Sequence, residues 1–97
     1  MIKQIKVGSA VFKVKEDAEI SNTEDLWGRI QFESREIFVK KGMCESQKAQ
    51  TLMHEIVHAA EREIALGLDE KDTERFSRML IQVIRDNPKL IEMVMKS

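Results

Sequence analysis

The chain of 97 residues carries one cysteine, one proline, four glycines and no tyrosine. A single cysteine, Cys44, excludes an intramolecular disulfide and fits a reducing cytoplasm. So few glycines and prolines exclude collagen-like and low-complexity classes. No apolar run approaches the length of a membrane span, and Met1 leads straight into a strand-like alternation rather than a signal peptide. No membrane association is expected. Neither sign of charge dominates: 16 basic residues stand against 17 acidic ones, interspersed, for a net charge of -1. That balance offers no basic footprint, so no nucleic-acid partner is expected. With 42% hydrophobic and 34% charged residues, the chain reads as one globular domain, 1–97. Its core is small enough for a bound ion to help hold the fold together.

Histidine is also scarce. Both of its occurrences fall in His54-Glu55-Ile56-Val57-His58, an HExxH pattern inside the longest helical stretch, about Ser46 to Leu66. On a helix, residues four apart lie one above the other, so both imidazoles can face one ion. Glu55 beside them is placed to take a proton from a metal-activated water. Two such ligands and a base are the parts of a zinc hydrolase.

Before the motif the chain reads as strands. Residues 2–7 and 10–15 alternate in character around Gly8-Ser9, a two-residue turn. The polar segment Glu16 to Asp25 connects to a third strand, Leu26 to Phe32, where Gly28 marks a bulge or a close backbone approach. Glu33-Ser34-Arg35 turns the chain into a fourth strand, Ile37 to Val39. After Gly42 the period becomes helical. Ser46 is the expected N-cap, and Leu52, Met53, Ile56, Val57, Ala60 and Ile64 form the stripe that packs on the sheet. Gly67 is the expected stop, through a left-handed C′ conformation. Asp69 then caps a second helix, Glu70 to about Arg85, striped by Phe76, Met79, Leu80, Val83 and Ile84. Asn87-Pro88 breaks it before a short helix, Lys89 to Met95. The expected fold is α+β: a small, mainly antiparallel sheet of about four short strands, then an active-site helix, a second helix and a short C-terminal helix.

A catalytic zinc site needs a third protein ligand. With no third histidine it must be a carboxylate or a thiolate. Glu74, sixteen residues beyond His58 across the Gly67 reversal, is the first choice for a helical hairpin. Asp72 competes, since a helical wheel places it nearer the Phe76/Leu80 stripe, and Glu70 is the third candidate. All three also suit the N-terminal end of a helix, where the macrodipole favours acids. Cys44 reads most simply as a small buried hydrophobe, Trp27 as packing, and Lys40-Lys41 as a solvated strand end.

The run Leu26 to Phe32, then Ile37 and Val39, then Gln50 to Ala59, resembles small phage and bacterial HExxH proteins. Leu68-Asp69-Glu70, Glu74-Arg75-Phe76 and Gln82 to Pro88 extend the likeness to about two thirds of the chain. Such proteins are similar to minimal gluzincins (minigluzincins) and, more remotely, to metallopeptidases of the ImmA/IrrE type. The resemblance implies a zinc-dependent endopeptidase with one ion per chain, a protein or peptide substrate and a downstream glutamate ligand, which favours Glu74. Larger gluzincins often place an aspartate four residues later to orient a ligand histidine; here Arg78 stands there. The ImmA-like alignment instead favours Asp72. Minigluzincins also resemble zymogens whose chain end blocks the cleft, a role open to the helix after Pro88.

The expected activity is peptide-bond hydrolysis, with Leu26 to Phe32 or Ile37 to Val39 offering a sheet edge to the substrate. The alternatives are a catalytically silent metal protein and a phage or prophage protein-interaction module. The sequence leaves the oligomeric state open, although Met93 and Met95 offer a contact surface.

Overall fold

The computed structural model describes residues 2–20 and 27–97. Leu26, expected to open the third strand, and residues 21–25 of the connection lie outside the described residues. Strands β1 (Gln4–Val7) and β2 (Ala10–Asp17) form an antiparallel hairpin that pairs Val7 with Ala10. Gly8 at φ 59 makes the tight turn that its lack of a side chain permits. Along β2 the alternation resolves as expected: Phe12 and Val14 are buried while Val11, Lys13 and Lys15 face out.

Strands β3 (Gly28–Gln31) and β4 (Glu36–Lys40) form a second antiparallel pair, and β4 lies parallel to β2. The sheet order is β1-β2-β4-β3. Two of the three pairings are antiparallel. The middle one is parallel because β3 takes the far edge, antiparallel to β2, and its hairpin returns β4 between them. Consequently β3 is an edge strand, whereas β4, the other expected edge, is interior and carries the fully buried Ile37 and Val39.

Helix α1 (Glu45–Glu63) crosses one face of the sheet, and Leu52 and Ala59 join Phe12, Val14, Ile37 and Val39 in the core. Its N-cap is Cys44 rather than Ser46: the Cys44 N–H donates to the Gln47 side chain at 3.4 Å. Cys44 is exposed, not a buried hydrophobe. The buried face of α1 is also turned from the expected stripe. Facing the sheet are Thr51, Leu52, Glu55 and Ala59; Val57 is buried on the opposite side, toward α2, and Ile64 lies in solvent. That rotation sets a carboxylate against the sheet. α1 stops at Glu63, and the left-handed residue is Ala65 (φ 55), not Gly67. The Leu66 N–H bonds the Glu61 carbonyl at 2.8 Å, so the reversal closes before Gly67 is reached.

Helix α2 (Glu70–Asp86) is capped as expected by Asp69, whose side chain accepts from the Asp72 N–H at 2.7 Å. It runs back along α1, pairing Thr73 with Glu61 and Ser77 with Gln50. Its buried residues are Thr73 and Ser77, so the stripe of Phe76, Met79 and Ile84 faces solvent. Helix α3 (Pro88–Lys96) begins on Pro88, touches α2 alone among the described elements and buries none of its residues. No described helix is long and apolar enough to cross a membrane.

Candidate metal centre

One turn of α1 separates His54 and His58, and their rings meet edge to face with centroids 4.8 Å apart. The two Nε2 atoms lie 3.2 Å apart. Because α2 runs back over this turn, its first residues come to the same point. The Glu70 carboxylate reaches His54 Nε2 at 2.5 Å and His58 Nε2 at 3.0 Å. One turn further along α2, Glu74 Oε2 meets the other nitrogen of His54, Nδ1, at 2.6 Å. A carboxylate only accepts, so Nδ1 carries the proton in that contact.

The donor set fits a divalent cation. Ligand atoms around one tetrahedral zinc at about 2.0 Å stand about 3.3 Å apart. The His54–His58 and His58–Glu70 separations are close to that value; the His54–Glu70 pair is closer, at hydrogen-bond distance. Both ring nitrogens of His54 face carboxylates; with Glu74 holding the Nδ1 proton, Nε2 is the nitrogen that would exchange its proton for an ion, at the point where His58 and Glu70 converge.

Glu55 lies against the sheet, 5% exposed, with ligand-capable atoms of His54, Glu55 and His58 within 4.8 Å of one another. Glu70, rather than Glu55, bridges both Nε2 atoms. The neighbour of Glu55 is Gly28 of β3. A Cβ there would stand 2.5 Å from the Thr51 methyl, 2.9 Å from the Phe38 carbonyl and 3.4 Å from a Glu55 oxygen. Of the two roles expected for this glycine, close approach is the one it plays.

Electrostatics follow the same geometry. Burial pushes the Glu55 carboxyl up to about 7; the nearby His54 opposes this, and the charges of Glu70 and Glu74 add to it. For His54, burial favours the neutral ring, but the contact with Glu70, the charge of Glu55 and the contact with Glu74 outweigh it and raise its pKa. Burial also works against ionised Glu74, yet Arg78 and His54 overcome it and hold the carboxyl below the usual range. Arg78 Nε donates to Glu74 Oε1 at 2.9 Å.

Around the cluster opens a cleft of about 610 Å³, walled on the sheet side by Trp27, Ile30 and Phe32 and on the helix side by Gln50, Glu74 and Arg78. Trp27, expected as packing, is 44% exposed and lines this cleft. Asp72 stays outside it and faces Arg75 at 3.9 Å. No residue of α3 lines the cleft.

Sequence reasoning passed over the polar residues that hold the two helices together. Gln50 donates to Ser77 Oγ at 3.1 Å and lies 3.4 Å from Glu74. Glu61 accepts from Thr73 Oγ1 at 2.5 Å and from the Leu68 N–H at 3.4 Å. Their signal was a pair of small polar residues one turn apart, Thr73 and Ser77, facing a helix whose matching positions are Gln50, His54 and Glu61.

No protein-family model, no curated protein and no solved structure matches this chain.

Proposed function

We propose that this chain is a zinc-dependent peptidase holding one ion through His54, His58 and Glu70. The observation that carries the reading is the convergence of two imidazole Nε2 atoms and one carboxylate beside a buried glutamate. This ligand set gives Glu74, the first choice by sequence, a different role. It holds the Nδ1 proton of His54 and so orients that ring. Glu74 stands four residues after Glu70, the spacing that the gluzincin resemblance assigns to the residue orienting a ligand histidine. With these roles Arg78 is no longer a departure from the pattern; it anchors Glu74 instead.

A zinc ion bound there supplies a Lewis acid that acidifies water and polarises a carbonyl. Glu55, the buried carboxyl beside the cluster, would accept a proton from the attacking water and return it to the leaving amine. The edge strand β3 offers free backbone groups beside the cluster, so an extended peptide can add to the sheet there. The apolar wall of Trp27, Ile30 and Phe32 faces the side chains of such a peptide. An open cleft supports direct access for substrate over obstruction by the C-terminal helix.

The test is cleavage of an unstructured protein such as casein by the zinc-loaded chain, beside Glu55→Gln. Wild type is expected to cut, and Glu55→Gln to bind zinc while losing at least about 10²-fold in rate. A zinc-loaded wild type that leaves casein intact removes the peptidase reading and leaves a silent metal protein.

A further inference from the structure

Helix α2 is amphipathic in an unusual sense. The side it turns to α1 is small and polar, with Thr73 and Ser77 fully buried and hydrogen-bonded to Glu61 and Gln50. Its large apolar residues lie roughly 100° around the helix, at Phe76, Met79 and Val83. Phe76 is 52% exposed and Met79 60%. Helix α3 continues this pattern, with Leu90, Met93, Val94 and Met95 between 45% and 80% exposed. Nine residues are too few for an isolated helix to be stable in water, and among the described elements α3 touches α2 alone.

We propose that α2 and α3 form the face through which two copies of this chain associate. The area fits that occupant. The exposed apolar side chains of the two helices present on the order of 500 Å². A standard dimer buries about 800 Å² per partner, some 60% of it apolar, an area of the same order. Charge separates a protein partner from an anionic membrane: by helical position Asp72, Arg75 and Asp86 flank the apolar stripe of α2, Glu70 and Glu74 lying on the cluster side, and α3 adds Lys89, Glu92 and Lys96, so the signs balance. A surface so nearly neutral gains little from anionic lipid, whereas mixed signs suit a symmetric contact. The three methionines, Met79, Met93 and Met95, have flexible side chains that adapt to a matching surface. The cluster of His54, His58 and Glu70 lies on the other side of α2, so the association leaves the cleft open. This proposal does not depend on the peptidase reading.

The test is sedimentation of the full chain at about 50 µM, ten times above and below it, and in the presence of phosphatidylcholine–phosphatidylserine vesicles. The expected species has twice the 11.3 kDa of one chain. Met93→Glu and Phe76→Glu each shift it to one chain, with helical content and zinc binding unchanged; Val11→Glu, on the outer face of the sheet, leaves it double. Met93 is exposed on a helix that buries nothing, so that variant keeps its fold even if Phe76→Glu does not. A wild type that sediments as a single chain throughout overturns the proposal. So does a dimer that survives Met93→Glu, or a single chain that pellets with the vesicles, which would make the face a lipid contact.

Discussion

Helix α1 has two seams, and they are built on opposite principles. Against the sheet it buries Leu52 and Ala59 with Phe12, Val14, Ile37 and Val39, an apolar contact interrupted where Thr51 and Glu55 meet Gly28. Against α2 it presents Gln50, His54, His58 and Glu61 to Thr73, Ser77, Glu70 and Glu74 through hydrogen bonds and ion pairs. The first seam gains from burial whatever is bound nearby. The second brings carboxylates and imidazoles together, so its strength depends on protonation and on any cation the cluster holds. A fold that keeps its core on one side of a helix can leave the other side for chemistry.

The comparison breaks first, and hardest, in the apolar seam. Ile37→Ala should cost about 2–5 kcal/mol, the usual range for truncating a fully buried aliphatic residue. Urea unfolding with zinc and with chelator should return the same loss. A loss that zinc abolishes would mean the two seams are not separable.

The ionisable residues of α1 should respond to pH instead. Glu55 titrates near 7 in the folded chain against 4.5 for its ordinary value, so the folded state binds more protons between those values. Stability of the chelated protein should therefore fall as pH rises from about 4.5 to 7, by about 3 kcal/mol. His54, with its raised pKa, acts in the same direction: its contribution is complete below 6.5 and is lost as pH climbs through the folded value. Thermal unfolding of Glu55→Gln in chelator should flatten most of this slope and leave the variant more stable than wild type at pH 8. A slope unchanged in Glu55→Gln would refute the burial argument for this carboxyl. Zinc should reverse the trend, since its ligands bind deprotonated.

Gly28→Ala tests the point where the seams meet. The added methyl must displace Thr51 or the β3–β4 ladder, at a cost of about 1–3 kcal/mol. Turnover should fall more than stability explains, because Glu55 is the third neighbour. Equal activity per folded molecule would separate Gly28 from the site. Smallest should be Thr73→Val, which removes one hydrogen bond from Glu61, at about 1–2 kcal/mol in chelator. With zinc bound, the loss measured by thermal shift should shrink; an equal loss in both conditions would make Glu61–Thr73 a purely structural contact.

Much of this was legible in the chain. Alternation placed Phe12 and Val14 inside, Asp69 announced α2, Asn87-Pro88 ended it, and the HExxH spacing put both imidazoles on one face. What was not legible depended on packing between elements. Glu70 and Glu74 are one turn apart on the same side of α2, so only the crossing of α2 over α1 decides which meets Nε2 and which meets Nδ1. The α1 stripe was misplaced because apolar periodicity does not anticipate a carboxylate buried against a glycine. Ala65 took the left-handed turn expected of Gly67 because the Leu66 and Ala65 N–H groups bond carbonyls of the last α1 turn before Gly67 is reached. Periodicity found the Phe76 stripe without saying what covers it.

The most direct measurement is the zinc affinity and stoichiometry of Glu70→Gln and Glu74→Gln beside wild type. If Glu70 is the ligand and Glu74 the residue that orients His54, Glu70→Gln loses the bound ion. Glu74→Gln keeps one zinc per chain with affinity weakened about 10–100-fold. The reverse pattern, an empty Glu74→Gln and a loaded Glu70→Gln, would contradict the assignment of roles on α2.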